Sequence, residues 1–466
     1  TPLATAAVLA FLGAALPASS ALAQSAAAFP APAKTFEGRV SFASATQGQP
    51  ILPGAEVVAT GQGFAPGQTV QLLHGTTSVL EDVTADAEGG FEARFRLPAD
   101  AAVGVHPLIV VSPVPYAAVV AELKVSPAIP ASGEDRYDIL RGAATRGLYQ
   151  SAYSAKNDAI FVASAVGRPP VRQSELLRMD ADTLEIEARM TPAAAPARVG
   201  RDGAPADGGL YAVYGVGVDD VHDTVWVTQS RQNTVAVYRQ SDLSLVRQFD
   251  PGTVNHARDV VVDPALDKAY ASATFEPEVV VFDTARPEVA SRIAIASGQR
   301  GERFSAASLS LNAAAHRLYV VSNSTNEVAV IDTQTDAVVK VLPVPGARSA
   351  IGVSHDPQTG RIFVAAQGSD NVVILDGESG AVIADTPVGA GALNVVFDPV
   401  SRQAFVANRG SSSIAVIDAD GRLLANLDGA PQANHVATDG QGVIYAVTKG
   451  GDQDDANTVW RIQPKR

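Results

Sequence analysis

The sequence predicts an all-β protein in which a β-sandwich precedes seven small antiparallel sheets arranged around an axis. Residues 136–466 repeat one pattern: a large residue followed by Val and Ala, a polar turn, a Val-x-Val strand and usually an Asp. Most copies recur after about 40 to 50 residues, alternate with period two, and have no helical pattern between them. These observations predict a seven-bladed β-propeller. The aligned large residues are Phe161, Trp226, Tyr270, Tyr319, Phe363, Phe405 and Tyr445.

Length and charge limit what else the chain can be. Its 466 residues exceed what seven such repeats need, so a second domain is expected. The formal net charge of -14 argues against a protein that coats nucleic acid, because such binding relies on Lys and Arg displacing counterions. The absence of cysteine excludes disulfides, thiolate metal sites and haem attachment through cysteines.

The first 34 residues predict a targeting segment followed by a linker. Residues 1–23 combine an apolar run with Ala21-Leu22-Ala23, which predicts a cleaved signal peptide. Residues 24–34 are rich in Ala and Pro and predict a linker. No later stretch is long and apolar enough to predict a membrane span. We therefore expect an exported protein, periplasmic or secreted.

Residues 35–126 predict the second domain. Several short alternating strands, separated by Gly, Pro and Asp turns, favour a β-sandwich. The run GQGFAPGQTVQLL, followed by GGFEARFRLP, resembles bacterial immunoglobulin-like (Ig-like) repeats. This resemblance implies an Ig-like fold and no chemistry. A Pro-, Ser- and Gly-containing hinge, residues 127–135, leads to the propeller at 136–466. The matching residues are Gly61, Gly63, Phe64, Pro66, Gly67, Gly90, Phe91 and Pro98.

The repeats resemble the YVTN family of seven-bladed propellers in periplasmic and surface-layer proteins. That resemblance implies the architecture and hints at metal or iron acquisition or an envelope function. The matching turns are Asp263-Pro264, Asp356-Pro357 and Asp398-Pro399, and the signature is approximated by Val321-Ser322-Asn323 and Val406-Ala407-Asn408.

The last repeat ends after its third strand. An unpaired outer edge would promote aggregation, and propellers avoid it by closing the ring with the other end of the chain. We therefore predict that residues 136–142 pair with residues 458–462 as an N-terminal closing strand.

Three enlarged loops predict a recognition sector on one face of the propeller. They span residues 165–175, 191–209 and 449–457. Loops joining the second strand to the third, and the fourth strand to the next sheet, share the face on which propellers usually bind ligands. The candidate partner-binding residues in these loops are Arg168, Arg172, Asp452, Asp454 and Asp455.

Polar residues at the predicted channel mouth form the candidate ligand site. Arginines, histidines and amides around one opening can receive a small anion such as a carboxylate or phosphate. His256 and His435 lack an obvious third ligand, and no metal or cofactor is predicted. No catalytic residues are assigned. The candidate ligand-binding residues are Arg146, Tyr214, His256, Arg258, Arg348, Asn394, Asn434 and His435.

The favoured function is a non-enzymatic binding or scaffold protein, a monomer that presents one propeller face to an envelope protein or a small anionic ligand. The principal alternative is a lyase or hydrolase at the channel mouth, similar to virginiamycin B lyases or propeller lactonases. A second alternative is binding of single-stranded DNA, which needs an electropositive groove with aromatic rings. The overall acidity disfavours it.

Overall fold

The computed structural model describes residues 32–200, 203–450 and 457–465. The chain divides into two compact units. Of the described residues, one unit comprises 32–40, 60–93 and 108–121, and the other comprises 41–59, 94–107 and those from 122 onward. Within the described ranges, no helix is long and apolar enough to cross a membrane. The predicted signal peptide, residues 1–23, lies outside the described residues.

The first seven strands form two antiparallel sheets. A three-stranded sheet has the order β1-β2-β5, and a four-stranded sheet has the order β4-β3-β6-β7. Pairing of Leu72 with Leu80 and with Val110 fixes β3 between β4 and β6. A 3₁₀ turn at Glu134–Arg136 follows. The strands are β1 (Arg39–Ser44), β2 (Glu56–Gln62), β3 (Thr69–His74), β4 (Thr77–Thr84), β5 (Phe91–Arg96), β6 (Gly104–Pro113) and β7 (Tyr116–Val125).

The rest of the chain forms seven four-stranded antiparallel sheets, numbered one to seven in chain order. Sheet one contains β9 (Leu148–Ser154), β10 (Ala159–Val166), β11 (Gln173–Asp180) and β12 (Ile186–Met190). A short hairpin, β13 (Arg198–Val199) and β14 (Pro205–Ala206), leads to sheet two. Sheet two contains β15 (Val216–Asp219), β16 (Thr224–Gln229), β17 (Thr234–Arg239) and β18 (Leu245–Gln248). Sheet three contains β19 (Ala257–Asp263), β20 (Lys268–Ala273), β21 (Glu278–Asp283) and β22 (Glu288–Ala294).

Sheets four to six repeat this arrangement. Sheet four contains β23 (Ala306–Asn312), β24 (Arg317–Ser322), β25 (Glu327–Asp332) and β26 (Ala337–Pro343). Sheet five contains β27 (Ala350–His355), β28 (Arg361–Ala366), β29 (Asn371–Asp376) and β30 (Val382–Pro387). Sheet six contains β31 (Ala392–Asp398), β32 (Gln403–Asn408), β33 (Ser413–Asp418) and β34 (Leu423–Leu427).

Sheet seven combines β35 (Ala433–Thr438), β36 (Ile444–Thr448) and β37 (Thr458–Pro464) with β8 (Tyr137–Ala143). The predicted pairing of residues 136–142 with residues 458–462 is confirmed, with Trp460 opposite Arg141 and Ile462 opposite Ile139. The Arg141 guanidinium lies 4.1 Å from the centroid of the buried Trp460 ring. The outer edge of β37 is therefore paired.

Neighbouring sheets pack through their apolar faces. The second and third strands of the sheets are almost wholly buried, because each of their faces meets another sheet. The fourth strands alternate exposed and part-buried residues along much of their length, as in β26. One core cluster joins Leu148 and Ile160 of sheet one to Tyr445 and Val459 of sheet seven. The large residues aligned in the sequence are core residues in the structure.

The Asp that ends many Val-x-Val strands caps a turn. Asp332 Oδ1 accepts hydrogen bonds from the backbone N–H groups of Gln334 and Thr335 at 3.0 and 3.1 Å. Asp376 accepts the corresponding bonds in sheet five. Backbone hydrogen bonds are the main cause that lowers the pKa of both carboxyl groups. These repeated Asp residues therefore have a structural explanation.

Candidate functional site

A cavity of about 220 Å³ lies where the inner strands of the sheets converge. It is lined by six of the eight predicted ligand-binding residues: Tyr214, His256, Arg258, Asn394, Asn434 and His435. A second cavity, of about 430 Å³, is lined by the inner strands and shares Asn394 and His435 with the first. We call the smaller cavity, with its 13 lining residues, the mouth cavity.

Two predicted residues do not line the mouth cavity. Arg348 forms an ion pair with Glu122, a residue of the same unit. One guanidinium nitrogen lies 2.9 and 3.0 Å from the two carboxylate oxygens. Arg146, in the loop between β8 and β9, also lies outside the lining. Arg348 is therefore paired to an acidic residue instead of facing the cavity.

Two of the enlarged loops, 165–175 and 191–209, lie next to each other. The N–H of Leu210, which directly follows the 191–209 crossing, donates to Val171 O of the 165–175 loop at 2.8 Å. Arg172 pairs with Asp207 at 2.8 Å on the exposed surface. Asp452, Asp454 and Asp455 of the third loop lie outside the described residues. Arg168 belongs to the first loop, between β10 and β11.

Several polar residues of the inner strands bond one sheet to the next. In each case a side chain accepts the backbone N–H of the adjacent sheet, which satisfies a buried donor. Predicted ligand residues Asn394 and His435 belong to this set, and Asn434 Nδ2 donates to Tyr149 O at 2.7 Å. The bonds run from Val216 N to Gln150 Oε1 (3.2 Å), Leu309 N to Asp259 Oδ2 (2.9 Å), Phe397 N to Ser354 Oγ (2.9 Å), Val436 N to Asn394 Oδ1 (2.9 Å) and Ser151 N to His435 Nδ1 (3.4 Å).

The histidines of the mouth cavity are neutral at physiological pH. Burial, followed by the charge of Arg258, lowers the pKa of His435 to about 3. Burial, Arg231 and Arg258 also lower the pKa of His256. Because Nδ1 of His435 accepts a backbone hydrogen bond, the proton of its neutral ring is on Nε2. His435 therefore offers a hydrogen-bond donor without a charge.

The charged groups free to meet a ligand are arginines that the sequence analysis mostly missed. Arg231, Arg258 and Arg409 all line the mouth cavity, and none has a carboxylate partner within 4 Å among the described residues. Arg231 and Arg409 are exposed, whereas Arg258 is half-buried. Among the described residues, those that line the cavity include no Asp or Glu. The cavity is therefore cationic and rich in hydrogen-bond donors.

A shared position in the repeat could have identified three missed cations. Arg409 directly follows β32, and Lys449 directly follows β36, so both begin the turn between the second and third strands. Arg231 lies one residue further along in the corresponding turn of sheet two. Aligning the copies on their turns, in addition to their large residues, places all three at the same end of their sheets.

Lys449 contacts a residue that lines the mouth cavity. Its Nζ is 3.5 Å from the ring centroid of the lining residue Tyr149, which itself meets Tyr214 edge-on at 4.6 Å between centroids. Burial lowers the pKa of Lys449 to about 7, and the charges of Arg409 and Arg231 add to this effect. The amine is therefore partly unprotonated at neutral pH.

This shift predicts how stability depends on pH. The folded-state pKa of about 7 lies below the ordinary value of 10.5, so the unfolded chain binds more protons between these values. The free energy of unfolding of the wild type, relative to a Lys449→Met variant, should therefore rise with pH across this window, by about 1–3 kcal/mol. Urea unfolding of both proteins at about pH 6.5, 8 and 9.5 measures how this difference in the free energy of unfolding changes with pH. A pH-independent difference would contradict the shift.

The fold places the chain in a class of known structures. No protein-family model matches the chain, and no curated protein matches it. In structure, it is similar to seven-bladed β-propellers. Hydrazine synthase of Kuenenia stuttgartiensis has a TM-score of 0.54 at 14% identity, and the match covers 68% of this chain and 96% of that chain.

Two further solved structures support the same class. Virginiamycin B lyase from Staphylococcus aureus matches with a TM-score of 0.52 at 9% identity, covering 70% of this chain and 99% of that chain. U3-55K matches with a TM-score of 0.54 at 10% identity, and the match covers 71% of this chain and 98% of that chain. At these identities the likeness shows the β-propeller fold alone.

Proposed function

We propose that this protein is a binding protein that takes up a small anion, a carboxylate or a phosphate, in the mouth cavity. The observation that carries the proposal is the set of three lining arginines without carboxylate partners among the described residues, in a chain of net charge -14. Guanidinium groups match the geometry of carboxylate and phosphate oxygens. The neutral His435 and the two tyrosines supply further polar contacts.

We also propose the finer architecture and location that the sequence suggested. The seven sheets form a closed ring of the YVTN type, and residues 35–126 form an Ig-like β-sandwich. Bonds from sheet one to sheet seven, at Ser151 and Tyr149, support the closure. Residues 1–23 direct export to the periplasm or beyond, where the enlarged loops can also present a face to an envelope protein.

A lyase or hydrolase at the same cavity is the second candidate. The observation that favours it is that His256 and His435 line one cavity instead of lying apart. Two observations favour binding over such catalysis: Nδ1 of His435 already accepts the Ser151 N–H, and the described lining residues include no carboxylate. Changing both histidines to Ala would abolish turnover by a lyase and leave anion binding through the arginines measurable.

Calorimetric titration of the full chain with inorganic phosphate and with citrate tests the proposed function. We expect heat of binding in both titrations, and an Arg409→Gln change that weakens the affinity by about tenfold or more, since a charge-assisted hydrogen bond contributes about 1.5–3 kcal/mol. The same change should raise the melting temperature of the ligand-free protein, because it relieves repulsion among like charges.

The matched control is Arg286→Gln. Arg286 is exposed, pairs with Asp283 and lies in the turn after β21, outside the mouth cavity. This variant should bind both anions as the wild type does. Absence of heat at millimolar phosphate and citrate, or equal losses in the two variants, would refute an anion site at the mouth cavity.

A further inference from the structure

Lys449 differs from the other lysines of this protein. Of the seven lysines in the sequence, five lie 2.8 to 3.7 Å from a carboxylate oxygen. In the part of the chain that the structure describes, exposed Lys34 and part-buried Lys449 have no such partner. The five paired lysines are Lys124, Lys156, Lys268, Lys340 and Lys465.

The surroundings of Lys449 are those of a nucleophilic amine. Its backbone N–H donates to Pro431 O at 3.1 Å, which fixes the start of the side chain. Its Nζ rests on the Tyr149 ring, and the charged groups that act on it, Arg231 and Arg409, both line the mouth cavity. Desolvation and neighbouring cations both make a lysine amine more nucleophilic at neutral pH, because both disfavour its ammonium form.

We propose that the Lys449 amine forms a reversible imine with a small 2-oxo acid whose carboxylate is held by the arginines of the mouth cavity. This inference rests on the proposed anion site and names the class of ligand for it. A 2-oxo acid places its carbonyl carbon directly beside its carboxylate. Binding of the carboxylate by Arg231 or Arg409 therefore brings the carbonyl carbon toward the neighbouring amine.

The reaction needs no reagent besides the ligand. The amine lone pair attacks the carbonyl carbon, so a C–N bond forms while the carbonyl π electrons move to oxygen. The resulting carbinolamine loses that oxygen as water, which carries away the two protons that left the nitrogen, and a C=N double bond remains. Nothing is oxidised or reduced. The guanidinium groups stabilise the negative charge that develops on the carbonyl oxygen.

The ligand must be small. A volume of about 220 Å³ is below that of usual drug-sized pockets, which begin at about 300 Å³, and suits an acid with a few carbon atoms. Pyruvate is therefore the probe. Acetone is the matched control, because it presents a ketone without the carboxylate.

Trapping with sodium cyanoborohydride, which reduces imines to stable amines, tests the inference at neutral pH. The wild-type protein should acquire one dominant pyruvate adduct, located at Lys449 by peptide mass mapping. Acetone should give about tenfold less adduct at that position, because it lacks the charged contacts. A Lys449→Arg variant should lose the adduct, whereas Lys268→Arg, which alters a paired lysine, should keep it.

Competition between phosphate and pyruvate can be measured on the wild-type protein, so a folding defect in a variant cannot affect the result. Inorganic phosphate should suppress pyruvate trapping in the wild type, because both anions use the same arginines. Adducts spread over the lysines according to their exposure would overturn the inference. If phosphate binds but no pyruvate adduct forms at Lys449, the imine proposal is wrong and the proposed anion site still stands. If phosphate does not bind and no adduct forms, both proposals are wrong.

Discussion

Deleting residues 137–143 is expected to make the protein aggregate. The deletion removes β8, the outer partner of β37, and leaves a row of unpaired backbone groups at the edge of sheet seven. It also uncovers the buried Trp460 and removes the Tyr137 ring, which packs edge-on against Phe405 at 6.0 Å. Size-exclusion chromatography and thermal unfolding followed by circular dichroism measure the effect.

Arg141→Ala is the control for this deletion. It removes the guanidinium stacked on Trp460 but leaves the backbone pairing of β8 with β37. A cost of about 1 kcal/mol is expected, in line with other cation–π contacts, with no aggregation. A deletion variant that stays soluble and melts cooperatively would show that β8 is dispensable for sheet seven.

Replacing Arg402 by Met is expected to destabilise the protein by about 3–5 kcal/mol, because it leaves a buried carboxylate without its cation. Both guanidinium nitrogens of Arg402 donate to the two oxygens of Asp356, each at 2.5 Å, and the Asp356 side chain is 0% exposed. The bonds connect the β31–β32 turn of sheet six to the end of β27 in sheet five. Urea unfolding at pH 7 measures the loss.

The same pair has a predictable pH dependence. Burial by itself would raise the pKa of Asp356, but hydrogen bonds from Arg402, Thr359 and Gln358 outweigh it and lower the pKa. Because the folded-state pKa lies below the unfolded value, the pair stabilises the fold above the ordinary carboxyl range, and this contribution disappears as pH falls through the folded-state pKa. The stability difference between wild type and Arg402→Met should therefore shrink as pH falls below the ordinary carboxyl pKa of 3.8.

The control for Arg402 is Arg286→Met. Arg286 also forms an ion pair with an Asp at a turn, but its side chain is 77% exposed. Exposed pairs contribute about 0–1 kcal/mol, so this variant should unfold almost as the wild type does. Comparable losses in the two variants would mean that burial of Asp356 does not determine the strength of its ion pair.

The repeat made much of the second unit predictable from sequence. Period-two alternation identifies the paired strands, and the Asp at strand ends identifies the turns, because both signals are local. The pairing of residues 136–142 with 458–462 followed from counting strands in the last copy. Such inferences need only the pattern and the rule that sheet edges are covered.

The composition of the mouth cavity was less predictable, because it depends on where long side chains point. Arg258 lines the cavity, whereas the side chain of Arg348 pairs with Glu122. Asn394 has a bond to the neighbouring sheet that no spacing reveals. Arg409 lies in the turn between the second and third strands, and the sequence pattern aligns the copies on their strands and not on this turn.

The contrast between an acidic chain and a cationic recess implies selection of ligands by size. A molecule of net charge -14 repels large polyanions from most of its surface, and at physiological ionic strength that repulsion extends over about 8 Å. A small anion can enter a space of about 220 Å³ and meet the arginines at short range, where screening is weak. A polymer of phosphates cannot bring most of its charge into that space. If the proposed anion site is correct, cavity size and surface charge together would admit metabolite-sized acids and disfavour nucleic acid.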